Sequence, residues 1–267
     1  MNHRAYFGFK CEPFAKDIAT KDLFTLPSMM GVKQRMDYCL SLGGVLTIFG
    51  EVGSGKTTAL RWGLSHYHAS EIKTVAVVAT TGSIVELYKQ IAWGLDLSPK
   101  SVSRTSLLTD CRSVISELAA ARKQKVLISI DEAQLLRRDV LSELHTLLNF
   151  NHDGSNFLTL VLCGQTNLIE HLQYRAAAPL ASRVMAKAHI KALTQPEMVE
   201  YINHHLRVAG LKKSLFDDSA MTAIQQGSAG GLRRANQLAS GGLMAAALEQ
   251  RQSVTADHIR TAASELI

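Results

Sequence analysis

Cysteine is scarce and scattered. The four, Cys11, Cys39, Cys111 and Cys163, form no C-x-x-C pair, which argues against both a zinc site and a disulfide framework. Aromatics make up only 6% of the chain, so a hydrophobic content of 46% means a mostly aliphatic core. No run approaches the roughly 18 consecutive apolar residues that a membrane-crossing helix needs. Met1-Asn2-His3-Arg4-Ala5 leads into no signal-peptide core. These absences predict a cytoplasmic protein with no membrane part. Internal repeats and low-complexity segments are also lacking. Acidic residues are the minority, with 23 Asp+Glu against 29 Lys+Arg, and the net charge of +6 permits contact with a polyanion. Residues 191–267 are nearly balanced, at 8 basic to 7 acidic, so the excess of 21 over 16 lies in residues 1–190. With about 150 residues per domain as a guide, 267 residues suggest one large domain or two smaller ones.

Against that background stands Gly50-Glu51-Val52-Gly53-Ser54-Gly55-Lys56-Thr57, which fits G-x-x-x-x-G-K-[ST], the phosphate-binding P-loop. The apolar run Val45-Leu46-Thr47-Ile48-Phe49 enters it as a buried strand, and residues 58–67 follow as a helix. Strand before and helix after is the context the motif requires. Glycines let the backbone wrap a phosphate, and amides at the helix N-terminus face the anion. On this reading residues 50–58, Thr58 included, cradle ATP. Lys56 reaches the β- and γ-phosphates, and Thr57 holds Mg²⁺ through its hydroxyl.

The first 44 residues carry an aromatic cluster, Phe7-Gly8-Phe9 with Pro13-Phe14. Two uses are open to it, lining a base pocket or packing as an N-terminal arm. A short helix over 29–41 follows. Thr74-Val75-Ala76-Val77-Val78-Ala79 predicts a second buried strand, then a helix with Ile84, Leu87, Tyr88 and Ile91 on one face. A polar loop over 96–105 precedes a helix carrying Leu107, Leu108, Cys111, Val114, Ile115 and Leu118. Residues 126–130 form a third strand, 138–149 a helix, 151–156 a turn and 157–163 a fourth strand. Alternating Val184, Ala186, Ala188 and Ile190 make a short fifth. Strands alternating with helices predict an α/β fold whose parallel sheet is covered on both faces. Beyond Thr194 only helices are signalled, beginning at Gln195-Pro196-Glu197, Asp217-Asp218-Ser219, Leu232 and Thr255. The expected domains are 1–193, with 1–44 as its arm, and a helical 194–267.

The third strand ends in Asp131-Glu132, 75 residues after Lys56. Apolar residues followed by two acids form the Walker B pattern, in which Asp131 orients Mg²⁺ and Glu132 polarises the attacking water. Gln165 follows the fourth strand and is placed to sense the γ-phosphate or position the water, with Thr166 or Asn167 as the alternative contact. Arg183 opens the fifth strand and suits the γ-phosphate of a neighbouring subunit, because guanidinium is always charged and binds phosphate in a fork; Arg175 is its rival. Arg233 lies in the first turn of a helix, where the helix dipole disfavours a cation. A nearby anion explains that choice better for Arg233 than for Arg234.

Together these pieces resemble the AAA+ ATPases, and within them the ExeA-like and TniB-like group of secretion-pathway and transposition helper ATPases. The resemblance runs through Tyr6-Phe7-Gly8-Phe9 with Pro13-Phe14, residues 50–58, Ile130-Asp131-Glu132-Ala133-Gln134-Leu135-Leu136, Val161-Leu162-Cys163-Gly164-Gln165, residues 180–184 and Gly231-Leu232-Arg233-Arg234-Ala235-Asn236. It implies a P-loop AAA+ parallel five-stranded sheet in the order 5-1-4-3-2, sandwiched by helices and followed by a small all-helical lid domain. It also implies assembly into a ring or helical filament with active sites between subunits. Two positions depart from the group's pattern, Thr166 and Leu232, where proline is common.

Secretion members of the group continue into a membrane segment and a periplasmic part, whereas this chain stops at Ile267. That contrast directs the expectation to a transposition helper that binds double-stranded DNA when loaded with ATP, selects a target site and recruits a transposase protein. Lys89, Lys100, Ser103 and Arg104 are the DNA-contact candidates, with a solvated loop as the other reading of that stretch. The alternative is an assembly or remodelling ATPase for a protein partner, without DNA.

Overall fold

A computed structural model describes residues 3–15, 17–99, 103–150 and 157–266. The turn expected over 151–156 lies outside them. A short helix, α1 (His3–Phe7), opens the chain. The apolar runs become strands β1 (Gly44–Phe49), β2 (Ile72–Val78), β3 (Lys125–Asp131), β4 (Leu158–Gly164) and β5 (Val184–His189). They form one parallel sheet in the order β2-β3-β4-β1-β5, the order that the resemblance implies. β4 is buried at all seven residues, as a central strand covered on both faces must be. The edge strand β2 buries Val75 and Val77 but leaves Val78 60% exposed.

Parallel neighbours cannot be joined by hairpins, so helices carry the crossovers. They are α3 (Lys56–Leu64), α4 (Ile84–Gly94), α5 (Arg104–Arg122), α6 (Arg138–Leu144), α7 (Asn167–Gln173) and α8 (Ala178–Ala181), while α2 (Pro27–Leu42) leads into β1. Ser83 and Ser103 cap α4 and α5 by accepting from the Glu86 and Ser106 amides. The helix expected over 138–149 stops at Leu144 and tightens into a 3₁₀ turn, His145–Leu148. At that spacing Leu144 and Leu147, three apart, both reach the core. α7 and α8 have no counterpart in the sequence reading; buried Leu168, Leu172 and Leu180 are their anchors.

The chain groups into two compact units. One, Pro27–Gly50 with Lys56–Ile190, holds the sheet and α2–α8. The other joins Met1–Leu26 and Glu51–Gly55 to Lys191–Ile267. Its main helices are α9 (Gln195–Val208), α10 (Asp218–Ser228), α11 (Leu232–Leu248) and α12 (Ala256–Ser264). Thr194 with Glu197 forms a capping box on α9, and Asp217 caps α10.

Of residues 1–44, expected as the arm of the α/β domain, 1–26 group with the helices and 27–44 with the sheet. Aromatic burial is the reason. The Phe14 ring lies 5.3 Å from His205 and 6.3 Å from Phe216, and Phe24 lies 6.1 Å from Tyr201. The Lys10 amide donates to the Ala209 carbonyl. His204 Nε2 and His205 Nδ1 donate to the Asp22 and Pro13 carbonyls at 2.7 and 2.6 Å.

Burial holds the His205 imidazole at about 4, against an ordinary 6.5, with the Pro13 bond opposing and nearby His204 reinforcing the shift. Its folded value is depressed, so the unfolded chain takes up the proton first. The stability tied to the neutral ring is complete above pH 6.5 and is lost as pH falls towards 4, a change of about 3 kcal/mol. Thermal unfolding between pH 7.5 and 4.5 tests this: wild type is expected to lose more stability than His205→Asn. Parallel pH curves for the two would show that His205 is not the group that titrates.

Candidate active site

Parallel strands bring their C-terminal ends to one edge, which is where ligands of such sheets bind. Phe49 is paired with Gly164, and Ile130 with Leu162, so the residues following β1, β3 and β4 emerge together. Lys56 and Thr57 open α3 at this edge. Thr57 Oγ1 donates to Asp131 Oδ2 at 2.7 Å, joining the end of the P-loop to the acid that closes β3. Asp131 Oδ1 accepts the Glu132 amide at 2.9 Å.

Glu132 sits at φ 54°, ψ 32°, in the left-handed region that a side-chain-bearing residue seldom adopts. Such a conformation costs on the order of 1 kcal/mol or more and persists only where neighbours enforce it. One neighbour is Gln134, 7% exposed. Its Nε2 donates to Glu132 Oε2 at 2.6 Å, and its Oε1 accepts the Gln165 amide at 3.0 Å. The main chain of the half-buried Gln165 is therefore linked to Glu132 through Gln134. Thr166 and Asn167 are exposed. The sequence reading assigned Gln134 no role. The available signal was a long polar side chain two residues past the acidic pair, in a segment otherwise apolar.

Cys163, one residue before the end of β4, is fully buried, and burial with the neighbouring Asp131 pushes its thiol up. It is an inert filler beside the acids.

In the other unit, Gly53 and Gly55 adopt φ +76° and +95°, which glycine alone enters freely. A Cβ on Gly55 would meet Leu232 Cδ1 at 2.8 Å, and one on Gly53 would meet Arg233 Cβ at 3.0 Å. The Arg233 amide donates to the Gly53 carbonyl at 3.2 Å, so this arginine is seated against the loop. Its residue is exposed, and Arg234 is half-buried. Ser54 Oγ is buried without a hydrogen-bond partner, an orphan polar atom within a loop of phosphate-binding sequence.

The other candidates are placed as follows. The half-buried Arg183 precedes β5; its guanidinium donates to Asn149 Oδ1 and, at 3.4 Å, to the Pro179 carbonyl. Arg175 is exposed in a turn before α8. Lys89 is half-buried on α4. Ser103 is occupied as a cap, and Arg104 pairs with Glu143 at 2.7 Å. Arg104 begins α5 instead of lying in the expected loop. Lys100 lies outside the described residues. No group of three or more His, Cys, Asp or Glu suited to a metal occurs among the described residues. No helix among them is long and apolar enough to cross a membrane.

A P-loop after the first strand, an Asp-Glu pair after the third, and β1 inserted between β4 and β5 define an AAA+ nucleotide-binding ATPase. The chain belongs to that family, residues 40–172 matching the family model described as AAA domain. Across 264 residues, 98% of this chain, it is 28% identical to General secretion pathway protein A of Aeromonas hydrophila, and it is an ExeA-like member in that sense. It spans about half the length of that curated relative, 48%. Among solved structures it is similar to the Aeropyrum pernix ORC2 protein in ADPNP-ADP complexes, with TM-score 0.71 and 19% identity over 96% of this chain and 72% of that one. The Aeropyrum pernix ORC1 protein in complex with DNA matches with TM-score 0.70 and 18% identity over 95% and 68%. At these identities the structural likeness establishes the fold.

Proposed function

We propose that this chain hydrolyses ATP to switch between an assembled form, ring or helical filament, and a dispersed one. In the cytoplasm the assembled form binds duplex DNA, selects a target site and recruits a transposase. One observation carries the hydrolysis: Thr57 and Asp131 meet at 2.7 Å with Glu132 next in the chain. Lys56 and the loop amides bind the triphosphate. An all-oxygen donor pair fits a hard cation, and Thr57 with Asp131 would hold Mg²⁺, which when bound neutralises charge on the phosphate oxygens. Glu132 accepts a proton from water as the water oxygen bonds the γ-phosphorus. The bond to the β–γ bridging oxygen breaks, releasing ADP and phosphate. Gln165 reads the γ-phosphate, with Thr166 or Asn167 as alternatives. Arg233, beside Gly53, binds the phosphates. Arg183, or its rival Arg175, acts on a neighbouring subunit's nucleotide.

The DNA part draws support from the net charge of +6 and from a protein of the same fold solved in complex with DNA. Its assigned contacts are Lys89, Lys100, Ser103 and Arg104. Retention of a labelled duplex with ATP, ADP or no nucleotide tests it. Binding is expected only with ATP, falling at least tenfold between about 50 and 200 mM salt as phosphate contacts are lost. Lys56→Ala is expected to abolish retention. Duplex mobility that ATP leaves unchanged at low salt would remove DNA from the function.

A second reading is favoured by one observation, the similarity to a secretion-pathway protein over 98% of this chain. Here the chain is an assembly or remodelling ATPase for a protein partner. Hydrolysis is then stimulated by that protein and indifferent to duplex.

A further inference from the structure

We infer that Gln134 is the positioning residue for Glu132, and that Gly164 is a glycine in order to admit it. The kinetic consequence rests on the hydrolysis reading above; the contact itself does not.

A buried amide must satisfy both its ends. Gln134 does so with two groups that matter to the site. The Gln165 main-chain N–H can only donate, so the amide atom facing it, at 3.0 Å, must be Oε1. That leaves Nε2 facing Glu132 Oε2 at 2.6 Å, as donor to a carboxylate. The orientation is thus determined by a backbone group that cannot flip. One Glu132 oxygen is pinned, and the other is left to meet a water.

Gly164 supports the same conclusion from the opposite side. Its φ lies outside the left-handed region, so its backbone makes no demand for glycine. The demand is for space, since a Cβ there would sit 2.6 Å from Gln134 Oε1 and 3.1 Å from Gln134 N. The tightest contact is this amide oxygen, with Leu168 Cδ2 also at 3.1 Å, so the last position of β4 leaves room for the amide by carrying no side chain. Because the amide is anchored to residue 165, any displacement at the β4 exit is passed to Glu132.

The contact is tested first without nucleotide. In an NMR spectrum of the free protein, a Gln134 side-chain amide proton is expected downfield and slow to exchange, and Glu132→Ala should return it to ordinary values. An ordinary resonance in wild type overturns the inference. Kinetics then separate positioning from simple filling. Gln134→Met, similar in shape but without the donor, is expected to lower kcat at least tenfold, leaving KM and the affinity for a fluorescent ATP analogue within twofold. Gly164→Ala should do the same. Adding Gln134→Met to Glu132→Gln should lower the residual rate no further, because residues acting as one unit are not additive. Should Gly164→Ala fail to fold, Gln134→Met carries the test. A normal kcat for Gln134→Met, or losses that multiply in the double variant, overturn the inference. Wild type that does not hydrolyse ATP sinks the hydrolysis reading instead, and the NMR result then decides the Gln134–Glu132 contact alone.

Discussion

Glu132→Gln is expected to lower kcat at least a hundredfold while ATP binds with unchanged affinity, the size of effect associated with losing a general base. The change is nearly isosteric. Its carbonyl oxygen can still accept from Gln134, and its backbone can keep the φ of 54°. What disappears is the ability to take the water's proton. Nucleotide should therefore load, assembly should follow, and the assembled form should persist. Phosphate release, binding of a fluorescent analogue and light scattering together provide the check. Hydrolysis at the wild-type rate would require another base and would reassign the water-activating role away from Glu132.

The second large effect is expected at Arg183. Arginines that reach a neighbour's γ-phosphate contribute roughly 10³-fold or more to hydrolysis. In the single chain the Arg183 guanidinium is hydrogen-bonded to the Asn149 amide and the Pro179 carbonyl. Both are neutral acceptors, and a phosphate would give stronger charge-assisted bonds. Arg183→Ala subunits should bind ATP normally and hydrolyse at near-background rates. Mixed with Lys56→Ala subunits, which are expected not to bind ATP but keep their arginine, they should regain part of the activity, since each supplies what the other lacks. A mixture no more active than its components, together with loss of activity in Arg175→Ala, would transfer the role to Arg175.

The P-loop sequence and the acidic pair were legible because the residues of each are contiguous. Gly50 to Thr57 announce a phosphate loop by type and spacing, and the apolar run ending at Asp131-Glu132 announces the acids. Central strands are legible for a related reason: burial on both faces leaves an unbroken apolar run such as residues 126–130. The segment between β4 and β5 was harder, because α7 and α8 are only seven and four residues long and hold few apolar anchors. The allegiance of residues 1–26 was not legible either. Phe14 marks itself for burial but says nothing of where, and the contact that decides it, Pro13 with His205, joins residues 192 apart.

Local pattern alone thus determined that this chain carries a loop of P-loop sequence and an acidic pair on a parallel sheet, since short-range spacing suffices to shape a loop or end a strand. Only the tertiary structure decided what steadies Glu132. The amide of Gln134 faces it because β4 delivers the Gln165 N–H, from 31 residues further on, to the amide's other end. No one-dimensional pattern records such a meeting, because it exists only once parallel strands have aligned their ends.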